Sequence, residues 1–76
     1  MYNLKILIRE QTFTSDMILG ESSVYDLVRD YLLAYGINVL LCEPMRDRNS
    51  FEAQLAKKGS FDGHALDAEI AVTRSP

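Results

Sequence analysis

The chain has 76 residues, of which 47% are hydrophobic and 25% charged, with a formal net charge of −3 and one cysteine. That length allows a single domain with one small core, burying only about 60% of the surface the unfolded chain exposes, and the composition excludes a disordered or fibrous chain. The acidic balance disfavours unaided nucleic-acid binding, which rests on a basic patch, and Cys42 alone excludes an internal disulfide.

No apolar run approaches the roughly 18 residues that a membrane-spanning helix needs. The sequence enters an alternating strand at once, with no charged segment, apolar stretch and cleavage site ahead of it, so a cytoplasmic protein is expected. In chain order, Leu4, Ile6 and Ile8 alternate with Lys5 and Arg9, the pattern of a strand with one face on a core. Leu7 turns apolar surface the other way. After Glu10 and Gln11 a second alternating run places Phe13, Ser15, Met17 and Leu19 on one side and Thr12, Thr14, Asp16 and Ile18 on the other. The short gap implies an antiparallel hairpin, although its turn carries no Asn-Gly or Asp-Gly pair.

Val24, Leu27, Val28, Tyr31, Leu32 and Tyr35 recur at the spacing of one helical face. Ser22 or Ser23 is the expected cap, with Asp26 complementing the helix dipole, and Gly36 is the expected stop. Ile37 to Cys42 is too short for another helix and reads as a strand ended by Pro44. Met45 to Asn49 reads as a polar loop. Ser50 to Lys58 fits either a helix capped by Ser50 and stopped by Gly59 or a strand with Phe51, Ala53 and Leu55 on one face, and strand is preferred. Lys57 to Gly63 reads as a loop with an Asp62-Gly63 turn, followed by a strand from Leu66 to Thr73 and a frayed tail at 74–76. The expectation is one α+β domain over 1–76 in the order ββαβββ, or ββαβαβ if Ser50 to Lys58 is helical, with the main helix on one face of an antiparallel sheet.

Residues able to carry chemistry are few. An enzyme would need Cys42, His64 and a carboxylate such as Asp62 or Asp67 to converge in a cleft. The preferred readings are structural, with His64 in a turn and Cys42 a small buried hydrophobe. One Cys and one His make an incomplete metal site, so neither metal nor cofactor is expected. Asp16, Glu21, Asp26 and Asp30 gather near the helix entrance, where dipole complement and a solvated face account for them, and Arg29 reads as surface. Arg46, Arg48, Lys57 and Lys58 would bind nucleic acid weakly, and only if they shared a face.

The reverse of the sheet is where the sequence departs from a simple core. If Leu4, Ile6, Ile8, Val39 and Leu41 face the helix, the pleat sends Leu7, Leu40 and Cys42, with Ile18 and Ala71, to the opposite side. One helix cannot cover two faces, so the cover is either internal or another protein. Tyr25 and Leu33 lie off the main helical stripe, in a composition that interfaces favour. The expected function is therefore a small acidic interaction module, an inhibitor or adaptor that docks on and occludes a partner protein or forms a homodimer, without catalysis of its own. Its partner-binding residues are expected to be Leu7, Leu40, Cys42, Tyr25 and Leu33.

Overall fold

The computed structural model describes residues 1–39, 45–65 and 67–75. Among them the elements run β1 (Tyr2–Ile8), β2 (Gln11–Ile18), α1 (Glu21–Ala34), α2 (Arg48–Lys58), β3 (Ser60–Ala65) and β4 (Ala68–Arg74), an α+β fold. The four strands form one antiparallel sheet in the order β2-β1-β4-β3, two hairpins laid side by side with the first and last strands in the middle. Both helices feed the core on one face of this sheet. The Cα envelope is 30 × 23 × 16 Å. Its thin dimension has room for one sheet and one helix layer, since packed layers lie about 10 Å apart.

The first hairpin is tight. Ile8 pairs with Gln11, leaving Arg9 and Glu10 at φ 51° and 82°. Positive φ at both central residues is the signature of a type I′ turn, whose twist matches that of the strands it joins. Toward the other end of the hairpin the register slips between Tyr2↔Ile18 and Leu4↔Ser15, leaving an extra residue on β2, and Met17 sits at φ 61°. This bulge changes which face the strand presents. Phe13 and Ile18, opposite in parity, both pack against the core, while Met17 is exposed. Ile18 is therefore corrected from the reverse face to the core face.

α1 begins after Gly20, at φ 86°, without a side-chain cap, so Ser22 and Ser23 lie inside the first turn instead of capping it. The carboxylate of Glu21 stands there against the positive end of the dipole. At the other end the Gly36 N–H donates to the Leu33 carbonyl and the Ile37 N–H to the Leu32 carbonyl, with Gly36 at φ 78°. This is a Schellman closure, which brings Ile37 back against the last turn. Ile37 and Leu32 are accordingly both buried. The strand expected from Ile37 to Cys42 is not formed by Ile37–Val39: Ile37 closes the helix, and Val39 is buried without joining a strand. Leu40, Leu41, Cys42 and Pro44 lie outside the described residues.

The segment around Ser50 is helical, the alternative that the sequence left open. Asp47 caps α2 by accepting from the Asn49 N–H at 3.0 Å, which places Ser50 inside the first turn. Gly59, at φ 74°, ends the helix with its N–H on the Leu55 carbonyl. The hairpin partner of β4 is then β3 and not the Phe51–Leu55 stretch. Asp62 and Gly63, expected in a turn, stand in the body of that strand opposite Ala71 and Ile70.

α2 lies beside α1 and under β3. Phe51 meets Tyr25 of α1 edge-on at 5.4 Å and Phe61 of β3 at 4.6 Å. Arg74 closes the same corner: its N–H donates to the Gly59 carbonyl and its guanidinium to the Ala56 carbonyl, 2.8 Å away, and to the Tyr2 hydroxyl. The Ser75 N–H donates to the Met1 carbonyl. Arg74 and Ser75, expected to fray, are tied to both layers. Neither described helix is long and apolar enough to cross a membrane.

Candidate functional site

Strand alternation divides the sheet sharply. Tyr2, Leu4, Ile6 and Ile8 of β1 and Ala68, Ile70 and Val72 of β4 are buried under the helices. Their neighbours Lys5, Leu7, Glu69 and Ala71 point to the face without helices, as Asp62 and His64 of β3 do. The register aligns these residues in rows across all four strands. One row reads Thr12, Leu7, Glu69, His64, and the next reads Thr14, Lys5, Ala71, Asp62.

Two shallow concavities lie along these rows. The larger, about 500 Å³, is lined by Lys5, Leu7, Asp62, Gly63, His64, Glu69, Ile70 and Ala71. The smaller, about 330 Å³, continues toward the hairpin tips past Arg9, Glu10 and Asp67, and shares Leu7, His64 and Glu69 with the first. At the rim Arg9 Nε donates to Asp67 Oδ2 at 3.1 Å, joining the two hairpin tips. Both side chains are more than half exposed, so the pair contributes at most about 1 kcal/mol. Within the groove two carboxylates, Asp62 and Glu69, face one ammonium, Lys5.

This face is less apolar than its expected composition. Leu7, half-buried, is its principal described apolar side chain, with Ala71 beside it. Leu40 and Cys42, assigned to the same face, lie outside the described residues. Tyr25 is corrected: it is 6% exposed, its hydroxyl donates to the Met45 carbonyl at 2.9 Å, and the Arg48 guanidinium sits 4.6 Å above its ring. The physical reason is α2, which packs beside α1 and turns the buried stripe toward itself. Val24, Tyr25, Val28 and Leu32 are buried, whereas Leu27, Tyr31 and Tyr35 are only partly so. Leu33 stays on the outer surface of α1, 53% exposed and away from the groove.

The remaining candidates separate. Asp26 contacts Arg48 and, at 3.4 Å, Arg29, while Asp30 contacts Arg29 at 3.2 Å, so the two carboxylates are bridged by Arg29. Arg48 also donates to the Ser22 hydroxyl and ties α2 to α1. Lys57 and Lys58 stand in the last turn of α2, roughly 15 Å from Arg48 along the axis, where they complement the dipole. Arg48 and the two lysines thus stand at opposite ends of α2. His64 lies on one strand face with Asp62 and opposite Glu69, in an open groove and not a cleft, and Asp67 is engaged by Arg9. Among the described residues no group of three or more His, Cys, Asp and Glu side chains is placed to hold a metal ion.

The sequence reading missed Lys5, Asp62 and Glu69 as a group. The signal was the alternation Ser60, Phe61, Asp62, Gly63, His64, which the Asp-Gly pair masked. A second feature lies over β2: Phe13 stacks on Tyr31 with ring centres 4.4 Å apart, and Tyr31 is followed by Tyr35 at 5.2 Å. The Tyr31 phenol is held above its ordinary pKa, first by its hydrogen bond with Tyr35 and then by burial. No family model matches the chain, and neither the curated proteins nor the solved structures include a match to it.

Proposed function

We propose that the chain is a small interaction module that docks on another protein through the helix-free face of its sheet, acting by occlusion and not by catalysis. The observation that carries this reading is Leu7, half-buried on a middle strand of an open four-stranded face and lining one groove with Lys5, Asp62, Glu69 and His64. An apolar side chain flanked by polar groups is a composition that protein-binding patches use. The groove's two carboxylates against one ammonium, on a chain of net charge −3, suit a partner surface that presents basic groups around an apolar tip. Such a module would work as an inhibitor or an adaptor, in a cytoplasmic setting.

The test is partner recovery from cells with the wild-type chain and with two variants, Leu7→Glu and the charge reversal Asp62→Lys with Glu69→Lys. Both sets of side chains point away from the core, so circular dichroism should be unchanged. Leu7→Glu is expected to weaken binding by about 2 kcal/mol, the scale of a central interface residue. The charge reversal should slow association and remove its salt dependence. A partner bound equally well by all three proteins would exclude this face.

A further inference from the structure

The edge of the sheet at β2 points to a second interaction, on a different surface from the open face. A two-residue hairpin is closed by a hydrogen-bonded pair, here Ile8 with Gln11, and such pairs alternate along the strand with pairs that turn their backbone groups outward. Gln11, Phe13 and Ser15 therefore spend their N–H and C=O groups on β1. Thr12 and Thr14 direct theirs to the outside, where among the described residues no further strand of the sheet lies beside β2. An unpaired edge of this kind is a template for another strand unless a proline, a lysine, an inward charge or a bulge blunts it. From Thr12 to Ser15 the strand has none of these. Blunting begins only at Asp16 and the bulge at Met17.

The helix side of the same edge is equally suited to contact. Phe13 and Tyr31 stack there, both only partly buried, with Leu27 on the same flank of α1. We infer that β2 pairs with β2 of a second copy, antiparallel across a two-fold axis, joining two four-stranded sheets into one of eight strands. The second copy is the occupant because β2 supplies a matching strand: same length, same two-sided pattern, same uncharged stretch. Keeping Phe13 on the helix side in both copies requires a register that sets Thr14 opposite Thr14 or Phe13 opposite Phe13, since any one-residue slip exchanges the faces. The Thr14 register puts Thr12 opposite Asp16 and Phe13 opposite Ser15, so no like charges face each other within the strand pair. The two Phe13–Tyr31 ledges then cover the joint. A chain this short gains from such an assembly, because it buries so small a share of its surface alone.

Sedimentation and amide hydrogen exchange test the pairing. The wild-type chain should sediment as a dimer at concentrations up to about 100 μM, and the Thr12 and Thr14 amides should gain protection as concentration rises. Thr14→Pro removes the outward donor without touching a bond to β1, and Thr14→Lys places like charges at the axis while leaving the backbone intact. Each should weaken self-association by about tenfold or more, and the Lys variant keeps the test decisive should proline disturb the strand. A wild-type monomer throughout that range, a dimer unaffected by Thr14→Lys, or one abolished instead by Leu7→Glu would overturn the inference. The last outcome would move the self-contact to the open face.

Discussion

Arg9 and Glu10 hold the first hairpin in a backbone region that costs an L-residue roughly 1–2 kcal/mol relative to its right-handed alternative. The turn keeps them because Ile8 and Gln11 on either side are locked in register, and because Arg9 reaches across to Asp67 on the neighbouring tip. Replacing Glu10 by glycine should raise stability by about 0.5–1 kcal/mol, seen as a higher urea midpoint with an unchanged slope. A lower midpoint would mean that the Glu10 side chain outweighs the relief of backbone strain. The positive φ of Met17 belongs to a different device, the bulge that returns Ile18 to the core, so glycine there would loosen a register instead of relaxing a turn.

Between α1 and α2 the packing is set by rotation. Phe51 enters from α2 at the side of α1, so Tyr25 moves inside while Leu27 moves to the margin. Leu32→Asp should therefore abolish folding, because the carboxylate would enter a fully buried position. Leu27→Asp should leave a folded chain, weakened by about 1–2 kcal/mol. Urea unfolding of the two variants separates these outcomes, and equal loss in both would return α1 to the orientation its own periodicity suggests. That periodicity made α1 readable from the sequence, and Gly36 marked its end. Its rotation depended on a neighbour whose helical signal is faint, since Phe51 and Leu55 supply the only buried residues of α2. β3 was hidden for a related reason: Asp62-Gly63 is a strong local turn signal, yet pairing with β4 overrides it and puts Asp62 on the open face. Ile37 carried β-branched character that the helix closure used for burial instead. Leu7 on the reverse face was legible from alternation alone, whereas its polar neighbours required the register of three strands.

For the molecule as a whole, the central partnership is β1 with β4, which runs without interruption from Tyr2↔Arg74 to Ile8↔Ala68. Each hairpin is local, but the seam between them joins the two most distant parts of the fold. Ending the chain after Asp67 removes Ala68, Ile70 and Val72 from the core and should leave circular dichroism and amide exchange of an unfolded polypeptide, while the intact chain unfolds in one cooperative step. Helical signal surviving in the shortened chain would instead show that α1 and α2 form a unit of their own. A seam of this kind also governs how the protein is made. During translation β1 is made well before β4, so one of its edges stays without its partner until that strand follows. In that interval the nascent chain is a natural client for chaperones, and slow decoding near β4 would lengthen its exposure.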